Sequence, residues 1–177
     1  MHIEQTQILT ANLKRLLRRG ATRQLVNIIR KTHMAELSLA FSNLSPGNQE
    51  KLFKLIEDPE QIGLLFSLID ESLFVDFVKK VELVKLVEIF DHMASDDAAS
   101  LLNLLDNELA DQILSKMQKE ESDSVEQLMS YGEDTAGSLM VTDFVALEEE
   151  VAAKEVIEAL QSKYLDVEMP FYLYIVD

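Results

Sequence analysis

Ser95-Asp96-Asp97 is the stretch of this chain best suited to chemistry. It sets two carboxylates side by side where the flanking pattern predicts the start of a short helix. A hard cation such as Mg²⁺ takes oxygen ligands and keeps several waters, and it is usually held by one or two carboxylates rather than a full protein cage. The same spacing also suits acids that simply favour the helix dipole, worth about 0.3–1 kcal/mol each in a first turn. Spacing alone leaves both readings open. Glu148-Glu149-Glu150 repeats the arrangement ahead of a later predicted helix, where helix stabilisation is the stronger reading.

Other chemistries lack their residues. The chain contains no Cys, which removes thiolate metal sites, disulfides and cysteine nucleophiles. His2, His33 and His92 have no partners at metal or triad spacing, and His92 reads as an exposed residue at a helix end. Gly-rich phosphate loops, nucleophile elbows and the H-E-x-x-H pattern are all missing from the sequence. No enzymatic activity is expected.

Charge narrows the partners. The 177 residues carry a formal net charge of −16, unevenly spread. Residues 1–35 hold seven Lys/Arg against one acid, whereas the remainder holds nine against 31. So acidic a body argues against a general nucleic-acid surface and favours cations, basic partners or plain solubility. No apolar run approaches the roughly 20 residues of a membrane span, and no secretory signal is visible. The expectation is a soluble, cytoplasmic chain.

The acids must be positioned by helices. Ile8, Leu9, Leu13, Leu16 and Leu17 fall near helical spacing, and Lys14, Arg15, Arg18 and Arg19 gather before a stop at Gly20. This basic amphipathic helix could be solvated, internally paired, or turned toward anionic lipid or a partner's acidic face. A second helix is predicted from Thr22 to about Lys31. Helix-start signals then recur every 11 to 13 residues: Ser45-Pro46, Asp58-Pro59, Asp70-Glu71, Ser95-Asp96 and Asp106-Asn107, with Glu82 and Lys119 as poorer caps between them. Each opens an apolar-faced segment of about three turns, such as Leu83, Leu86, Val87, Phe90 and Met93. Helices this short are unstable alone, so about ten with short connections predict an α-solenoid-like superhelical bundle over residues 1–132.

The pattern changes after a junction at 133–142, Glu133-Asp134-Thr135-Ala136-Gly137-Ser138-Leu139-Met140-Val141-Thr142. Residues 143–177 read as strand, helix, strand, with Phe144–Leu147 first and the aromatic run Phe171–Val176 last. A strand-helix-strand unit predicts a parallel crossover. Two strands are too few for an independent sheet, so this second module is expected to be incomplete.

These residues also carry a family likeness. Met93-Ala94-Ser95-Asp96-Asp97-Ala98-Ala99-Ser100-Leu101-Leu102 resembles the acidic helix start in the cytosolic N domain of MgtE-type magnesium transporters. The run from Tyr131 to Met140, followed by Asp143-Phe144-Val145-Ala146-Leu147, resembles that family's junction between N domain and CBS domain. Phe171–Asp177 is similar to the second strand of its first CBS motif. The resemblance implies a superhelical N domain joined to a CBS domain, dimeric beneath a membrane-spanning pore that is absent from this chain. It also implies that Mg²⁺ between the two domains favours the closed pore. Asp96 falls where the family supplies a carboxylate to that ion. Ser138 falls where some members offer a Gly backbone carbonyl, with Gly137 serving the turn beside it. Ser100 stands where some members carry a second metal-facing Asp, which removes one donor.

The candidate Mg²⁺ residues are therefore Asp96, Asp97 and Ser138, and the expected function is the cytosolic Mg²⁺-sensing part of a magnesium transporter. The alternative is a stand-alone helical scaffold that binds protein and shows no divalent dependence.

Overall fold

The computed structural model describes residues 2–132, 135–137, 140, 145–148, 150–162 and 173–176. Ten helices come first, from α1 (His2–Arg19) and α2 (Thr22–Lys31) through α3 (Met34–Ser42), α4 (Pro46–Phe53) and α5 (Pro59–Leu68). They continue with α6 (Glu71–Val78), α7 (Leu83–Phe90), α8 (Ser95–Leu102), α9 (Asn107–Leu114) and α10 (Lys119–Met129). β1 (Val145–Glu148), α11 (Ala153–Ser162) and β2 (Leu173–Val176) follow.

The starts obey local chemistry. Ser45 and Asp58 are N-caps with Pro at the first helical position, and the Asp58 side chain accepts from the Glu60 N–H at 3.2 Å. Asp106 caps α9 through the Leu109 N–H at 3.0 Å. Gly20, at φ 65°, ends α1. Three starts depart from expectation. Gln118 rather than Lys119 holds the cap position of α10. His33 opens α3 by accepting from the Ala35 N–H through Nδ1, a cap outside the usual Ser/Thr/Asp/Asn set. Ser95 does not cap α8. Ala94 holds that position, and Ser95 is the first helical residue, 2% exposed, because tertiary contact draws its side chain into the interior.

Packing links each odd-numbered helix of the bundle to the next odd-numbered one, and α8 to α10. α1 lies against α3, α3 against α5, α5 against α7, α7 against α9 and α8 against α10, which is the stacking expected of a superhelical bundle. One continuous core runs through all ten. Aromatic rings meet along it: Phe53 and Phe66 stack at 5.7 Å, Phe66 meets Phe74 edge-on at 5.3 Å, and Phe77 lies 5.0 Å from Phe53 and 5.4 Å from Phe41. Each fully buried side chain of this size contributes about 1.5–3 kcal/mol, so short helices become stable only collectively.

After the bundle, β1 and β2 pair in parallel, with Val145 opposite Leu173 and Glu148 opposite Val176. Val145 is buried, whereas all four residues of β2 are exposed. The predicted strand-helix-strand unit is present.

Candidate functional site

The start of α8 is placed by α5. Gly63 faces Met93 in the turn before α8, and a Cβ on Gly63 would stand 2.6 Å from the Met93 Cγ. The missing side chain is therefore what lets the turn approach α5. One turn further along α5, the small side chain of Ser67 faces Asp97. Its hydroxyl donates to the Leu64 carbonyl at 3.2 Å.

Asp96 and Asp97 are both half-buried. Burial first, and then the neighbouring Asp96 charge, push the Asp97 carboxyl above the ordinary carboxylate range, while the Ser67 hydroxyl beside it pulls the other way. Asp96 occupies the adjacent position in the first turn, where the helix N-terminus favours negative charge. Ser95, Ala98, Ala99, Leu101 and Leu102 bury the remainder of α8 against the core, including α10.

The neighbouring elements are tied in place. The Asp91 carboxylate, just past α7, accepts the Gln118 backbone N–H at 2.8 Å and so anchors the start of α10. Lys85 of α7 donates to the Glu57 carbonyl at 3.3 Å and pairs with Glu88 at 3.0 Å. His92 lies with Nδ1 2.7 Å from the Glu88 carbonyl, a local helix-end contact rather than a ligand geometry.

Of the expected ion residues, the structure places Asp96 and Asp97 together in one helical turn. Ser138 lies outside the described residues, as do Glu133 and Asp134. Gly137 is described, and its carbonyl accepts the Met140 N–H at 3.3 Å within a turn. Its φ is not in the left-handed region, but a Cβ there would lie 2.4 Å from Cγ of the Tyr131 ring. Close approach to Tyr131, rather than backbone freedom, requires glycine. Among the described residues no group of three or more His, Asp or Glu side chains could enclose a metal. Asp96 and Asp97 alone could offer no more than one or two carboxylates to a largely hydrated cation, with further donors needed from elsewhere. Ser67, Gly63 and Asp91 carry no motif, and only the register between distant helices identifies them.

Comparison with known proteins agrees with this architecture. The family described as the MgtE intracellular N domain matches residues 32–134. The magnesium transporter MgtE of Bacillus subtilis is 27% identical over 162 residues, covering 92% of this chain and 36% of that protein. The magnesium transporter MgtE of Thermus thermophilus is 26% identical over 176 residues, covering 96% and 38%. The chain therefore spans little more than a third of the length of these relatives. The crystal structure of the soluble part of a magnesium transporter superposes with a TM-score of 0.86 at 22% identity, over 97% of this chain and 68% of that one. The cytosolic domain of the Mg²⁺ channel MgtE in complex with ATP gives 0.84 at 24% identity, over 95% and 68%. At these identities the structural likeness establishes the fold.

Proposed function

The chain belongs to the MgtE intracellular N domain family, and from that premise we propose that it is the cytosolic Mg²⁺-sensing region of a magnesium transporter. In this reading residues 1–132 form the N domain. Residues 143–177 begin a CBS domain, and the working unit is a homodimer below a membrane pore. Mg²⁺ is the ligand of the regulatory surface and the ion the whole protein moves. The role is regulatory rather than catalytic.

The observation that supports the reading is the pair of adjacent, half-buried carboxylates in the first turn of α8. Asp97 lies beside Ser67 of α5, and Asp96 is the residue that matches the family's ion carboxylate. The surrounding chain is strongly acidic. Two acidic faces repel at low Mg²⁺ and can approach when a divalent ion screens them, so Mg²⁺ favours the compact state as far as it binds that state better. Asp96 would supply one carboxylate, and the Ser138 carbonyl would supply a donor from the junction.

A Mg²⁺ titration of the full-length protein's cytosolic region, followed by small-angle scattering, tests the reading. Compaction at millimolar Mg²⁺ is the expected result. An unchanged radius of gyration across the titration would contradict it.

A further inference from the structure

The first two helices carry seven of the chain's 16 Lys/Arg in an otherwise acidic molecule. Lys14, Arg15, Arg18 and Arg19 on α1 are all exposed, as are Arg23, Arg30 and Lys31 on α2, which packs beside it. None of these seven forms an ion pair with a carboxylate among the described residues. The opposite side of α1 is committed to the core through Leu13, Leu16 and Leu17, and Leu25 and Ile29 of α2 are buried likewise. The cations of each helix therefore lie away from its core-facing side. These helices also precede residues 32–134, the span that matches the family.

We propose that the outward faces of α1 and α2 dock electrostatically on the anionic phospholipid headgroups of the membrane beside which this region works. The inference rests on the proposed placement of the chain in a membrane transporter, but not on Mg²⁺ sensing. Charge complementarity selects the occupant. Clusters of four to eight Lys/Arg attract anionic leaflets over about a Debye length, roughly 8 Å at physiological salt. The rest of the chain is strongly acidic and is repelled by such a surface. The membrane would therefore be met through this face alone, which orients the domain. The apolar sides of both helices are already buried, so headgroup contact without insertion is the mode the structure allows. Ile8, 57% exposed on the same side of α1 as Arg15 and Arg18, adds at most a shallow apolar contact.

Co-sedimentation of the 177-residue chain with vesicles tests the proposal, in EDTA so that Mg²⁺ plays no part. The vesicles are phosphatidylcholine alone or phosphatidylcholine mixed with phosphatidylglycerol. Binding is expected only with the mixture, and it should fall as salt rises. The pair Arg15→Glu and Arg18→Glu should weaken it at least about tenfold. The pair Lys116→Glu and Lys119→Glu makes the same charge change at exposed positions elsewhere, and it should change binding by less than about twofold. Circular dichroism of each variant checks that the helices persist. No binding to anionic vesicles, or equal loss in both pairs, would overturn the proposal. Salt-sensitive dimers that the α1 pair abolishes, without vesicle binding, would also overturn it and assign the face to an acidic second copy. Vesicle binding that survives while the Mg²⁺ titration fails would leave this inference standing and remove only the sensing claim.

Discussion

Asp97 of α8 lies against Ser67 of α5, one helical turn from the point where Gly63 admits Met93. Both acids of this first turn are half-buried, and the neighbouring α5 side chain sets Asp97 apart from Asp96.

That separation predicts the behaviour of Asp97→Asn. Asp97 titrates above its ordinary value of 3.8, chiefly through burial and then through the Asp96 charge. The folded state therefore holds the proton more tightly than the unfolded state. The resulting penalty is complete at pH above the folded pKa, and it is relieved as pH falls through that value toward 3.8. Asp97→Asn should raise the melting temperature at neutral pH by up to about 2–4 °C, corresponding to at most ~1 kcal/mol. The advantage should fade on acidification. A lower melting temperature at neutral pH would show that the carboxylate is a net stabiliser.

Gly63→Val probes the contact that seats α8. The added atoms would meet the buried Met93 side chain, where even a Cβ stands 2.6 Å from Cγ. Overpacking of this kind costs about 1–3 kcal/mol, read as a lower urea midpoint. An unchanged midpoint would mean that Met93 repacks freely and that the turn before α8 is not fixed by α5.

Asp91→Ala removes the acceptor of the Gln118 N–H. By analogy with a lost N-cap, the expected cost is about 0.5–2 kcal/mol, and Asp91→Asn should recover most of it because an amide oxygen can still accept. Hydrogen exchange should show the loss first at the start of α10. Equal effects from Ala and Asn would point to charge rather than the hydrogen bond.

Gly137→Ala tests the junction. Its Cβ would collide with the Tyr131 ring, so either the ring or the junction backbone must move. Faster proteolytic cleavage near residues 131–137 is expected, with little change in the melting of the helical bundle. Unchanged cleavage would show that the Tyr131 contact does not order this segment.

How much of this is legible in the sequence depends on the range of each interaction. Ser45-Pro46, Asp58-Pro59 and Asp106 mark helix starts because capping is a property of three or four consecutive residues. The start of α3 gives no such signal, since His33 caps it through a ring nitrogen. Ser95 looks like a cap but lies one position inside the helix, because burial against the core, invisible locally, decides where its side chain goes. The pairing of Asp96 and Asp97 can be read from spacing, but the surroundings of Asp97 cannot. They depend on Ser67, 30 residues earlier, being brought opposite Asp97 by the packing of α5 and α8. Asp91 and Gln118, 27 residues apart, are unreadable for the same reason. Gly137 suggests backbone freedom because a turn is the usual reason for glycine, whereas the Tyr131 ring supplies a steric one.

Limited proteolysis of the full-length protein across a Mg²⁺ titration, wild type beside Asp96→Ala, decides whether Asp96 supplies a carboxylate to a regulatory Mg²⁺. Mg²⁺ should protect both proteins, with the Asp96→Ala midpoint displaced to roughly tenfold higher Mg²⁺, equivalent to about 1.4 kcal/mol of lost binding. Superimposable dose responses for the two proteins would contradict this and remove Asp96 from the site.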